Sequence, residues 1–334
     1  MNIYFTQIYV RRSYFGAILL LIALLAGCTP KTEASKTITQ ERDGVFAAAL
    51  SRDGSLSLMS SASDDVTLWQ LTPNAQIKFR WQQQSQNNVF LVKFSPEHRY
   101  AISASRHDFA IWSTQTGQSL GFYSIGQSVI RDIALSANGQ NVVVGLENAK
   151  VVFINLRTGR RLEFLGHTQA INIVRLSANG RYAFSAGNGG DAILWNTQSA
   201  QIITKVHMNS RITQIAMTPD GKYIFVAGSH NQAKIYTIVQ GQLLSKLAIH
   251  TRQEIFSSAR FVNHDQWLLT GSANRKLRLW DVKTGQLLEQ WKVGLNTKRR
   301  PASAVVYDAT IDDNGQVISA SSSGLVEYWS VHNE

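Results

Sequence analysis

Gly117-Gln118-Ser119-Leu120-Gly121 has the Gly-x-Ser-x-Gly spacing with which hydrolases expose a nucleophilic serine. That chemistry needs a strand, a sharp turn and then a helix, so that the hydroxyl stands clear of the backbone. Here the motif fills the slot of a turn between two strands, the slot held by Thr158-Gly159 and Thr284-Gly285 in other parts of the chain. The eight histidines are scattered, with no His-Glu-x-x-His and no pair at metal-ligand spacing. No glycine-rich phosphate loop is present, and no pair of carboxylates recurs at a fixed place. A single cysteine, Cys28, excludes an internal disulfide and a multi-cysteine zinc site. The expectation is a protein without a catalytic centre, metal site or cofactor.

Cys28 belongs to other chemistry. Residues 1–27 contain two cations, Arg11 and Arg12, and no acid, followed by an apolar run of fourteen residues from Tyr14 to Gly27. A membrane-spanning helix needs about 20 residues, so a charged start, a short apolar middle and a small-residue end read as a secretory signal. Leu25-Ala26-Gly27-Cys28 resembles the bacterial lipobox. In proteins with that motif the signal is cut before the cysteine, whose thiol and new amino group are acylated. The resemblance implies a signal peptide over 1–27, a lipidated tether over 28–35 and an anchor at Cys28. Thr29 stands where an Asp would resemble an inner-membrane retention signal, which implies an outer-membrane lipoprotein facing the periplasm.

The chain carries 33 Lys and Arg against 22 Asp and Glu, a net charge of +11. Without residues 1–27 it loses only Arg11 and Arg12 of these and keeps +9. Such a charge favours acidic partners. Export makes nucleic acid a poor candidate, and anionic lipid, envelope glycan or an acidic protein face a better one.

The elements that hold these residues repeat. An aromatic closes a strand-like run at Trp69, Trp112, Phe153, Trp195, Tyr236, Trp280 and Trp329, at spacings of 43, 41, 42, 41, 44 and 49 residues. Upstream of each lies a run with apolar residues at fixed offsets, such as Val45/Ala48/Leu50 and Ile171/Val174/Leu176, followed by turn residues such as Asp53-Gly54 and Asn179-Gly180. Gly271-Ser272-Ala273-Asn274-Arg275-Lys276-Leu277-Arg278-Leu279-Trp280-Asp281, then Thr284-Gly285, resembles the second half of a WD repeat. The period of about 40–45 residues is that of a four-stranded propeller blade. The resemblance implies an all-β, seven-bladed β-propeller over 36–334. The last copy supplies only three strands, so Lys36–Glu41 is expected to complete it and close the ring.

Only Gly166-His167 reproduces the Gly-His pair of the family, and Asp191 lies four residues before its tryptophan where the family has six. The resemblance offers His167, Ser185, Asp191 and Trp195 as one buried hydrogen-bond tetrad. It also implies that the residue after the first apolar position of each innermost strand points to the top rim, where partners bind. These residues are Phe46, Phe90, Arg131, Asn172, Thr213, Ser257 and Tyr307. Phe46, Phe90, Tyr307 and Arg131 fall on neighbouring blades and are the residue types that dominate protein-binding hot spots; the alternative places the rings between blades as core. Lys298, Arg299 and Arg300 would form a basic edge beside them. The expected function is a non-catalytic, membrane-tethered, monomeric scaffold that binds an unidentified protein on its top face. Two alternatives stay open: an accessory role in outer-membrane protein assembly, by analogy with an eight-bladed lipoprotein propeller, and a cofactor-binding or enzymatic propeller.

Overall fold

The computed structural model describes residues 33–331 apart from 64, 84–87, 127, 239–240, 252 and 297–303. The expected signal segment 1–27, Cys28 and most of the tether lie outside the described residues, as do Lys298, Arg299 and Arg300. The described residues form 28 strands in seven four-stranded antiparallel sheets. Blades 1 to 6 are built from consecutive strands over 47–81, 91–124, 130–164, 171–207, 212–246 and 256–292. Blade 7 takes three strands from 306–329 and its outermost strand, Lys36–Thr39, from the start of the chain. This is the seven-bladed, all-β propeller expected from the repeat.

Sequence dictates the layering within each blade. The third strand of blade 4, Asp191–Asn196, is buried at its four central residues, because neighbouring blades cover both faces of the sheet. The outer strand Ile202–His207 alternates and is mostly exposed. Innermost strands turn back on a recurring Ser/Thr-x-Asx-Gly turn. The hydroxyls of Ser51, Ser136, Ser177 and Thr218 donate to Asp53, Asn138, Asn179 and Asp220 at 2.6–2.7 Å. The glycine that follows sits at φ of +70 to +73°, a region a side chain disfavours. Blade 6 lacks that glycine, and Asn263, His264 and Asp265 all take positive φ. The Gly-x-Ser-x-Gly stretch ends in a strand: Ser119 opens the outer strand of blade 2 opposite Trp112.

The core lies between blades. Seven apolar clusters each join two neighbours: Trp112 of blade 2 packs with Leu58 and Val66 of blade 1, and Trp195 of blade 4 with Val143 and Phe153 of blade 3. Tyr328 of blade 7 packs with Leu50 and Met59 of blade 1. Of the seven repeat aromatics, Trp112, Phe153, Trp195, Trp280 and Trp329 are buried, and Trp69 and Tyr236 partly so.

Lys36–Thr39 runs antiparallel to Leu325–Trp329, from Lys36 opposite Tyr328 to Thr39 opposite Leu325. The strand is two residues shorter than expected, because the amides of Gln40 and Glu41 both converge on the carbonyl of Gly324, at 2.9 and 3.3 Å, as the chain crosses to blade 1. With the face on which the innermost strands begin taken as the top, the closing strand enters from the bottom. Deleting Ser35–Glu41 removes this ladder and exposes the edge of blade 7. We expect a Tm lower by roughly 10 °C, from about 1 kcal/mol per lost hydrogen bond plus the Ile38 contact. Calorimetry checks this, and sedimentation should show self-association through the bare edge; a monomer melting like the parent would refute closure by this strand.

Candidate functional site

The innermost strands of all seven blades line an axial cavity of about 480 Å³. Its upper mouth is set by a repeated irregularity. In blades 3 to 7 the pairing of the innermost strand slips by one residue after its first position, between Ile130 and Asp132, Ile171 and Ile173, Ile212 and Gln214, Phe256 and Ser258, and Val306 and Asp308. The skipped residue is in each case the expected rim residue: Arg131, Asn172, Thr213, Ser257 or Tyr307. A β-bulge re-aims one side chain without ending the strand, and here it turns that side chain to the mouth. Phe46 and Phe90 precede the shorter innermost strands of blades 1 and 2, their amides bonded to Ser60 and Ala104 at 2.8 and 3.1 Å. All seven rim residues border the cavity. Phe46 is 38% exposed and Phe90 and Tyr307 are part-exposed, so the three rings are not interior core. Tyr307 also leans on the cluster between blades 7 and 1.

Below the rim the cavity is charged. Asp132, on blade 3, accepts from Lys93 of blade 2 at 2.5 Å and from Arg175 of blade 4 at 3.3 Å. Its second oxygen also takes the Val174 amide at 2.9 Å. Asp308, on blade 7, accepts from Arg260 of blade 6 at 2.5 Å and from the Leu50 amide of blade 1 at 2.9 Å. Arg260 reaches further, to the carbonyls of Leu50 and Ser51. Burial, and then the neighbouring Arg175, hold the Lys93 ammonium down at about 8 although Asp132 pulls the other way. Burial likewise lowers Arg175. Lys93, Arg175 and Arg260 each stand three residues after a rim position. A cation at one fixed offset in three innermost strands was the available sequence signal, and the expected site omitted it.

The opposite end differs in sign. A basin of about 1360 Å³ at the bottom face is lined by Asp53, Glu97, Asp220, Asp265, Asp312 and Asp313 against Arg52, Lys78 and Arg99. Burial, reinforced by Asp220, raises the Asp265 carboxyl. Among the described residues no three His, Cys, Asp or Glu side chains stand together as metal ligands.

The expected tetrad is present as three residues. Trp195 Nε1 donates to Ser185 Oγ at 3.2 Å, and Ser185 Oγ lies within hydrogen-bond distance, 2.8 Å, of His167 Nε2. Asp191 is a correction: its carboxylate takes His207 Nδ1 and Lys205 Nζ, both at 2.9 Å. The shortened turn makes Asp191 the first residue of its strand, directly opposite His207 on the outer strand. Blade 2 contains an equivalent that sequence did not reveal. Trp112 Nε1 donates to Ser103 Oγ at 2.9 Å, and Ser103 donates to Gln83 at 2.7 Å. In blades 6 and 7, Trp280 and Trp329 donate to Thr270 and Ser319 at 2.8 and 3.0 Å.

A family model described as eukaryotic translation initiation factor eIF2A matches residues 68–258, from the third strand of blade 1 to the innermost strand of blade 6. The model of the WD domain, G-beta repeat, matches 241–281 in blades 5 and 6. No curated protein matches the chain.

Burial lowers the His167 imidazole from 6.5 to about 4, against the pull of Asp191. As pH falls the unfolded chain therefore takes the proton first. The stability that neutral His167 confers is complete above pH 6.5 and lost between 6.5 and 4. Gln83 shows that an amide can fill this place. Between pH 7.5 and 4.5 the parent should lose about 2–3 kcal/mol more than His167→Gln, at 1.36 kcal/mol per pKa unit. Urea titrations of both proteins measure this, and identical pH profiles would refute it.

Proposed function

The chain belongs to the family described as eukaryotic translation initiation factor eIF2A and carries a WD repeat, and for it we propose the role of a non-catalytic, membrane-tethered scaffold that binds a protein on its top rim. WD-repeat propellers serve as protein-interaction scaffolds. Translation initiation is what the family description says of its namesake. It does not carry over here, because Arg11-Arg12, the apolar run and Leu25-Ala26-Gly27-Cys28 resemble an export and lipidation signal.

One observation carries the reading: Tyr307, Phe46, Phe90 and Arg131 occupy one continuous sector of the mouth, on blades 7, 1, 2 and 3. An exposed Phe46, the part-exposed Phe90 and Tyr307 and an arginine beside a concave opening make a hot spot that a partner can desolvate. The tether supports the orientation. Thr29 to Ser35 reach about 25 Å at roughly 3.5 Å per residue, and the closing strand begins at the bottom face. An acylated Cys28 would keep the bottom towards the outer membrane and turn the rim away from it. The partner is then a soluble periplasmic protein or one presented from across the periplasm.

Cys28→Ser should leave a soluble or signal-retaining form, since several acyl chains at about 0.8 kcal/mol per methylene provide the anchor. A processed Ser variant in the membrane fraction, or a parent that stays with cytoplasmic ribosomes, would overturn the tether. Replacing Phe46, Phe90 and Tyr307 together by serine should abolish recovery of the crosslinked partner and lower Tm by no more than a few degrees. Unchanged recovery would place the interface elsewhere.

A further inference from the structure

Among the described residues the axial cavity is lined by five cations, Arg52, Lys93, Arg131, Arg175 and Arg260, and by two carboxylates, Asp132 and Asp308. The excess is positive, and the two carboxylates are shared among more cations than they can neutralise. Asp132 takes Arg175 and the Val174 amide on Oδ2 and Lys93 on Oδ1, so two cations share one carboxylate. The Lys93 side chain keeps 25% of its surface open to the cavity. The hydroxyl of Ser258, which also lines the cavity, is buried with no hydrogen-bond partner.

The polarity has a direction. Arg131 is exposed at the upper mouth, while the bottom basin carries six carboxylates against three cations. An anion is attracted from the top and repelled at the bottom. One side of the mouth is formed by Phe46, Phe90 and Tyr307, which suit the apolar stem and backbone of a peptide better than a hydrated inorganic ion. The volume, about 480 Å³, lies within the range of about 300–1,000 Å³ common to ligand pockets.

We propose that the axial cavity receives a carboxylate-bearing side chain from an acidic peptide segment of the partner, which passes between Phe46, Phe90 and Tyr307 to meet Arg131, Lys93 and Arg175. This rests on the reading of the rim as a protein-binding surface and adds the chemistry of what it binds. The rings provide contact area, and the cations select acidic over neutral segments.

The test is calorimetric titration of the purified propeller with a peptide of alternating Glu and Gly, its Gln counterpart and inorganic phosphate, at two salt concentrations. The Glu peptide should bind at least tenfold tighter than the Gln peptide and tighter than phosphate, and should weaken as salt rises. Lys93→Met combined with Arg131→Ala should weaken the Glu peptide at least tenfold, with Arg157→Ala, on a surface turn, as the unaffected control. If Lys93→Met lowers Tm, Arg131→Ala alone must still weaken binding, because Arg131 is exposed on its bulge. Equal affinity for both peptides, phosphate binding as tightly as the Glu peptide, or capture of phosphatidylglycerol vesicles in place of peptide would each overturn the proposal. The two readings fail separately. A partner lost with the three rings but no preference for Glu peptides leaves the scaffold and removes the acidic segment. A Glu preference with an unchanged partner does the reverse.

Discussion

No blade has a hydrophobic core of its own. A single four-stranded sheet presents two apolar faces, and each can be covered only by the face of the next sheet, so every one of the seven clusters belongs to two blades. The repeat is therefore stable only as a ring, and the last interface is as necessary as the first. Closure rests on the cluster that joins Tyr328, Val326 and Ile318 of blade 7 to Leu50 and Met59 of blade 1. The shared strand Lys36–Thr39 seals the outer edge of the same joint.

The axis makes a second seal. Asp308 of blade 7 accepts the Leu50 amide of blade 1, Thr310 donates to the Arg52 carbonyl at 2.7 Å, and Arg260 reaches from blade 6 past blade 7 to the Leu50 carbonyl. Asp132 forms the matching bond from blade 3 to the Val174 amide of blade 4. The carboxylates that hold the inner wall together are thus the ones that keep cations at the cavity. Removing either acid would leave a buried positive charge without its partner as well as a broken inter-blade bond, which is why these groups are costly to change one at a time.

Period and turn residues made most of this architecture legible in the chain. Trp69 to Trp329 mark the blades, and the missing strand of the last copy led to Lys36–Glu41, of which Lys36–Thr39 forms the ladder. The rim was legible for a reason that sequence does not display: the same bulge recurs at Arg131, Asn172, Thr213, Ser257 and Tyr307, so one offset finds one direction. The failures share a cause as well. Asp191 was assigned by type and approximate spacing, but the length of the turn before it decides which side of the strand it faces. Gln83 does for blade 2 what His167 does for blade 4, without the Gly-His pair that marks the latter. Lys93, Arg175 and Arg260 find their partners on other blades, so no local window contains the interactions that make them tolerable.

The pairing of Ser35 with Tyr328, 293 positions apart, sets an order for folding. The first propeller strand has no partner until the last one has emerged. Blades 1 to 6 can pair internally as they emerge, since each is a local meander, but the circle is not finished until the strands of blade 7 arrive. The entropic cost of so long a loop grows only with the logarithm of its length, so the delay is one of timing more than of energy. For that interval the chain exposes two unpaired edges, the condition under which strands of separate molecules join. A chain cut short at its C-terminus would remain in that state, and its incompleteness would be visible to any protease or chaperone that recognises an open sheet.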